Sequence, residues 1–131
     1  MLQYKRKEVK IRIYYDSTDA GGIVYHTEYI KFCEQARSEI FFSNNIFFEK
    51  NEGYVVKNLN ATYIKPAKLG DIIEIKTDIL EIKKASLKIR QEIFKENEKI
   101  FEIELNVAYL KNSKISKIPL THLKLLNDYK K

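Results

Sequence analysis

Residues 16–26 read Asp16-Ser-Thr-Asp19-Ala-Gly-Gly22-Ile-Val-Tyr25-His26. Two carboxylates, two glycines and a histidine share this short stretch. An aspartate can attack a carbonyl carbon or take a proton from water, and a histidine can move a proton near neutral pH. The glycines, Gly22 among them, let the backbone turn tightly or approach a ligand closely. Directly downstream the apolar spacing becomes that of a helix. A helix start offers backbone N–H groups without partners and about half a positive charge. Such a place can stabilise negative charge developing on an oxygen. The same residue types also have structural uses. Asp19 taken alone could cap a turn, Asp16 could hold the loop by an Asx turn, and His26 could be a structural histidine.

The elements that must position this stretch follow from periodicity. Val9, Ile11, Ile13 and Tyr15 alternate with Glu8, Lys10, Arg12 and Tyr14, which predicts a strand over 8–15. Tyr29, Cys33, Ala36 and Ile40 recur at helical spacing, with Thr27 as the expected N-cap and Glu28 near the positive helix end. Ser43-Asn44-Asn45 should end that helix. Gly53 to Ile64 reads as one extended stretch, and Pro66 to Asp71 as a turn with Gly70 free to take positive φ. Ile73, Ile75, Thr77 and Ile79 alternate next. The phase then slips to Leu80 and Ile82, which predicts a bulge. Leu87, Ile89 and Ile93 mark another strand, Asn97 a hairpin turn, and Phe101 to Tyr109 the cleanest alternation in the chain. Pro119 should open a short C-terminal helix. The pattern therefore predicts an α+β class: a five-stranded antiparallel sheet wrapped around one long helix that covers its apolar face.

Composition narrows the function classes. The chain has 131 residues, the size of one domain spanning 1–131. Hydrophobic residues are 44% and charged residues 32%, a globular balance. The formal net charge is +6, but only four of the 24 basic residues are arginines: Arg6, Arg12, Arg37 and Arg90. Guanidinium forks are the usual readers of bases and phosphates. The largest basic cluster is Lys5-Arg6-Lys7, so no nucleic-acid footprint is expected. Cys33 is the only cysteine, which excludes an internal disulfide and a cysteine-based metal site. The opening MLQYKRKEVK lacks a signal-peptide core, and no run approaches the length of a membrane span. The cytoplasm is the expected compartment. Cys33 should be inert core, and His122 should be solvated surface.

The Asp16–His26 stretch, followed by Thr27-Glu-Tyr-Ile-Lys-Phe-Cys-Glu-Gln-Ala-Arg-Ser-Glu39, resembles the signature of hot-dog thioesterases, most closely the YbgC-like acyl-CoA thioesterases. The 4-hydroxybenzoyl-CoA thioesterases are more distant relatives. The resemblance continues through Tyr63-Ile-Lys-Pro-Ala-Lys-Leu-Gly-Asp71, a turn common to many hot-dog proteins, and weakens after about residue 95. It implies a hot-dog fold and hydrolysis of an acyl-CoA or acyl-carrier-protein thioester. Asp19 matches the catalytic carboxylate and His26 the histidine common in YbgC-like members. The backbone N–H groups around Tyr25 and His26 match the helix end that polarises the thioester carbonyl. Lys83 and Lys84, with Ser86 beside them, fall where the family places groups near the CoA phosphates. The family's site lies between subunits, so the resemblance implies a homodimer at minimum, commonly paired into a homotetramer. It also implies that Asn58, Asn60 and Thr62 line the pocket from the partner chain. Ser17 stands where Glu is frequent in the family.

Such a hydrolysis requires no redox or metal cofactor, and coenzyme A is part of the substrate. Asp19 could attack directly, forming a mixed anhydride, or could act as general base on water. A non-catalytic acyl-thioester binding module on the same fold is the alternative reading. A hot-dog dehydratase or isomerase would need its histidine and carboxylate in another arrangement.

Overall fold

An apolar helix lies across one face of an antiparallel sheet, and the sheet's strand alternation decides which residues it meets. The computed structural model describes residues 8–131; the Lys5-Arg6-Lys7 cluster lies outside them. The elements in order are β1 (Glu8–Arg12), α1 (His26–Phe42), β2 (Glu52–Tyr63), β3 (Ile72–Ile82), β4 (Ser86–Lys95), β5 (Glu98–Lys111), β6 (Lys114–Ile115) and α2 (Leu120–Asn127). The sheet order is β1-β3-β4-β5-β2, with β6 pairing β5. The expected five strands are therefore joined by a sixth, a two-residue return after the turn at Asn112 and Ser113. Both of those residues have positive φ, the geometry of a primed hairpin turn.

Strand register sorts the inner face into rows. Ile75, Ile93, Phe101 and Tyr63 form the first row; Thr77, Gln91, Ile103 and Ala61 the second; Ile79, Ile89, Leu105 and Leu59 the third. Leu87, Val107 and Val56 follow, and Tyr109 with Tyr54 closes the series. The apolar strand residues predicted by alternation are buried in these rows. The phase slip in β3 is a bulge between Ile79 and Glu81. The β4–β5 hairpin turns on Glu96 and Asn97, both at positive φ.

Helix α1 runs along the rows from first to last. Tyr29 stacks on Phe101 at 5.3 Å, and Phe41 stacks on Tyr54 at 5.4 Å. Tyr29, Cys33, Ala36 and Ile40 are all buried, as the spacing predicts. One polar group sits in the middle of this contact. Gln91, 0% exposed, donates from Nε2 to the Cys33 carbonyl (2.9 Å) and the Thr77 hydroxyl (3.0 Å) and accepts at Oε1 from Arg37 (2.9 Å). It pins helix to sheet at one register, because a buried amide must keep its partners. Cys33 is fully buried, and burial pushes its thiol pKa up to about 12, so it is inert at neutral pH.

Two expectations are corrected. The first strand ends at Arg12; Tyr14 caps a 3-10 turn over Tyr15–Ser17, and Tyr15 is 80% exposed instead of facing the core. His122 is not solvated surface but 4% exposed. Helix α2 folds back over the far end of the sheet, where Tyr54 Oη and His122 Nδ1 are 2.9 Å apart among Phe41, Phe48 and Tyr109. Burial lowers the pKa of His122, against the opposing pull of Glu52. The folded state therefore refuses a proton that the unfolded chain accepts. Stability from this group is full above the ordinary value of 6.5 and declines as pH falls below it. Urea denaturation at pH 7.5 and 5.5 should show that decline, and His122→Gln should flatten it. A decline of equal size in the variant would assign the pH dependence to other groups.

Candidate active site

The loop before α1 is folded around its own carboxylate. Asp19 Oδ1 accepts from the N–H groups of Gly21 (2.9 Å) and Ile23 (3.1 Å). The Asp19 N–H donates to the Ile23 carbonyl (2.9 Å), and the Asp19 carbonyl accepts from Gly22 (3.0 Å). The Asx-type turn expected at Asp16 is thus built on Asp19, while Asp16 is exposed in the 3-10 turn. Among the described residues, the second carboxylate oxygen of Asp19 takes no hydrogen bond. Gly22 has φ +82°, a conformation that a side chain resists, so glycine is required there for the backbone. Three further bonds hold the loop in place. Leu69 N–H meets the Gly22 carbonyl (2.9 Å), Val24 N–H meets Ala67 (3.0 Å) and Tyr25 N–H meets Ser17 (3.0 Å). The Pro66–Asp71 turn is therefore the floor on which the Asp19 loop rests.

The helix start differs from the expectation in one position that matters. The N-cap is Tyr25, in extended conformation and without a side-chain cap, and Thr27 lies inside the first turn. The Tyr25 N–H is consumed by Ser17, and the Glu28 N–H bonds the Tyr25 carbonyl at 2.9 Å. The donors without partners among the described residues are those of His26 and Thr27. No acidic or amide side chain caps them, so they point their share of the helix dipole at whatever occupies the loop. The exposed His26 ring packs on Tyr25 at 4.8 Å. Tyr63 Oη donates to the His26 carbonyl (2.7 Å) and sets the helix end against β2. Beside it, Val24, His26, Tyr29, Tyr63 and Pro66 line a cleft of about 340 Å³.

The other expected residues do not gather here. Asn58, Asn60 and Thr62 register with Asn106, Glu104 and Glu102, on the face of the sheet turned away from α1; Asn106 Nδ2 donates to Asn58 Oδ1 at 2.8 Å. Leu59, Ala61 and Tyr63 are the helix-side residues of that strand, since alternate side chains point to opposite faces. Tyr63 is the residue of the candidate site that sequence reasoning missed; alternation groups it with Leu59 and Ala61, and only the pairing with β5 shows that this set faces the helix. Lys83, Lys84 and Ser86 sit at the β3–β4 turn, where the Lys83 N–H meets the Ser86 carbonyl (2.8 Å). That turn lies at the opposite end of β3 from Gly70 and the Asp19 loop, roughly 30 Å of strand away at ~3.3 Å per residue. Within one chain these lysines and Asp19 cannot touch one small ligand end to end. Among the described residues no group of three or more His, Cys, Asp or Glu could hold a metal ion.

Comparison with known proteins gives this geometry a setting. The family model of the thioesterase superfamily matches residues 21–102. The acyl-CoA thioesterase YbgC of Helicobacter pylori is 46% identical over 70 residues, which is 53% of this chain and 53% of that protein. The acyl-CoA thioester hydrolase YbgC of Escherichia coli is 40% identical over 72 residues, 52% of this chain and 54% of that protein. The chain thus spans about half the length of the curated relatives it matches. The crystal structure of a hypothetical protein from Aquifex aeolicus superposes over 91% of this chain and 98% of its own, with a TM-score of 0.83 at 28% identity. The resemblance read from the Asp16–Glu39 stretch and the expected fold are both upheld.

Asp19 has a structural duty that can be separated from any chemistry. Asp19→Ala removes the acceptor of two N–H groups and should cost ~1–2 kcal/mol of stability. Asp19→Asn keeps an oxygen for both and should cost under about 0.5 kcal/mol. Chemical denaturation of the two variants checks this, and equal losses would refute the anchoring role.

Proposed function

The chain belongs to the thioesterase superfamily, and from that premise we propose that it hydrolyses the thioester of an acyl-CoA to a carboxylic acid and free coenzyme A. A thioester on an acyl-carrier protein presents the same bond. One observation carries the reading. A carboxylate with one oxygen tethered and the other unengaged stands on a loop that leads into a helix whose first two amides lack partners.

The chemistry uses those groups directly. Asp19 either attacks the carbonyl carbon, so that the C–S bond breaks from a tetrahedral adduct and leaves an anhydride for water to open, or it takes a proton from the water that attacks. In both routes negative charge collects on the carbonyl oxygen. The His26 and Thr27 N–H groups are its proposed donors; loss of one such donor in comparable sites costs ~2.7–4 kcal/mol of barrier. Their backbone nature matters, because they need no reorganisation as charge builds. Thiolate is a good leaving group, so the exposed His26 ring is assigned a secondary part, protonating the departing sulfur or orienting water. Coenzyme A enters only as part of the substrate.

The same reading places a second copy of the chain at β2. Among the described residues that strand pairs only with β5, so its outer edge carries N–H and C=O groups without strand partners there. Val55, Val56, Leu59, Tyr63 and Ile64 are all exposed along it. An open apolar edge of this length is a liability unless another strand covers it. A two-fold pairing of β2 with its copy satisfies both. The second copy also gives Lys83, Lys84 and Ser86 a way to reach CoA phosphates bound beside Asp19 of the first. A homodimer is the minimal assembly proposed, and a pair of dimers its expected completion.

Thiol release from a panel of acyl-CoAs should reveal turnover, and Asp19→Asn should lower kcat by ~10²–10⁴-fold while its folding is preserved. Turnover equal to wild type would remove the carboxylate from the chemistry. Acyl-CoA binding without turnover in both proteins would identify a non-catalytic acyl-thioester module, a reading that the loop-anchoring bonds of Asp19 by themselves also favour. Dilution to monomer, followed by light scattering, should abolish turnover; a verified monomer with full activity would contradict the shared site.

A further inference from the structure

The two amides without partners at the start of α1 belong to peptide groups whose carbonyls are both engaged. The His26 N–H shares its peptide with the Tyr25 carbonyl, which accepts from the Glu28 N–H at 2.9 Å. The Thr27 N–H shares its peptide with the His26 carbonyl. Inside a helix that carbonyl accepts from the N–H four residues on, here that of Ile30. A carbonyl oxygen has a second lone pair. Tyr63 fills it from outside the helix, its phenol Oη lying 2.7 Å from the His26 oxygen. That is the usual length of an O–H···O bond.

The phenol is brought there by its ring. Tyr63 ends β2, in register with Phe101 of β5. Its ring meets Phe101 edge-on at 5.0 Å and Tyr29 edge-on at 5.5 Å. Phe101 is fully buried, and the Tyr29 hydroxyl is tied to the Ala67 N–H. Such contacts hold an aromatic ring whether or not it carries a hydroxyl. The bond to His26 is therefore additional to the packing, and it acts on the peptide it touches. Resonance couples the carbonyl oxygen to the nitrogen of the same group. A donor at the oxygen leaves the N–H more positive, which is how hydrogen bonds in series strengthen one another.

Building on the thioesterase reading, we propose that Tyr63 is a positioning residue that strengthens the Thr27 N–H as a donor to a developing anion, acting through the His26–Thr27 peptide. As negative charge collects on the substrate oxygen, the peptide passes part of it to the His26 oxygen, where the phenol O–H meets it. The help is greatest when the charge is greatest, so it raises kcat more than it lowers KM. The polarised amide itself exists in the free protein and does not depend on turnover.

Wild type, Tyr63→Phe and a protein carrying meta-fluorotyrosine at position 63 alone are compared at pH 7. Phenylalanine keeps the ring and loses the donor. Fluorine makes the phenol a stronger donor at nearly the same shape, and it covers the case in which Tyr63→Phe does not fold. Loss of a whole oxyanion donor costs ~10²–10³ in kcat, and a bond in series changes its neighbour's strength by ~10–30%, so Tyr63→Phe should lower kcat ~2–8-fold with KM little changed. The fluorinated protein should turn over faster than wild type. In NMR spectra the Thr27 amide nitrogen should move upfield in Tyr63→Phe and downfield with fluorine, and the His26 nitrogen should move less. If wild type hydrolyses no thioester while these shifts are present, the thioesterase reading fails and the polarised amide is supported. A Thr27 resonance unmoved in both altered proteins overturns the proposal. So does a kcat that is equal in all three, or that fluorine lowers as phenylalanine does, the result a purely structural role would give.

Discussion

One helix is narrower than the sheet it must cover, and most features of this molecule follow from that mismatch. A helix with its side chains is ~10–12 Å across. Five strands at ~4.8 Å spacing present an inner face about twice as wide. Helix α1 packs chiefly over β3 and the strand beside it. Toward β5 and β2 the helix reaches only through long aromatic side chains, Tyr29 on Phe101 and Phe41 on Tyr54, with α2 folding over the far end and an exposed β2 edge beyond. The reading of a paired β2 edge starts from the part of that surface α1 does not cover.

A narrow contact also needs its register held. Apolar side chains alone tolerate sliding, because their attraction has no direction. Gln91 supplies direction at the centre, gripping a helix carbonyl and a strand hydroxyl at once. The phenol of Tyr29 does the same near the helix start, accepting from the Ala67 N–H at 2.9 Å. That bond ties the first turn of α1 to the turn on which the Asp19 loop rests. The position of the helix amides relative to Asp19 is therefore fixed by a buried polar bond within the first turns of the helix.

Asp19 shows how few residues the arrangement spends. One oxygen closes the turn, and the other takes no hydrogen bond among the described residues. Glycine at Gly22 frees the backbone to reverse, and its carbonyl binds the floor at Leu69. The helix that follows has no side-chain cap, which leaves its first amides open. A Ser or Asp at the cap would occupy them.

Periodicity and composition by themselves determined the element order apart from β6, the buried stripe of α1, the bulge in β3, the hairpin at Asn97 and the inward set of β5. Each is a local pattern with one physical reading. The Asp16–His26 stretch likewise marked itself as a candidate site through residue types and a helix start. Other features were decided only by the tertiary structure. Tyr15 continues an alternation that holds through the buried Ile13 and ends there, because the chain enters a 3-10 turn over Tyr15–Ser17. His122 reads as a polar residue near a chain end, and only the return of α2 over Tyr54 buries it. The facing of Asn58, Asn60 and Thr62 depends on pairing with β5 across a bulge, which a single strand does not reveal. Gln91 and Arg37 look like surface residues in sequence. They meet because a helix and a strand distant in the chain cross there, and their burial is a property of that crossing.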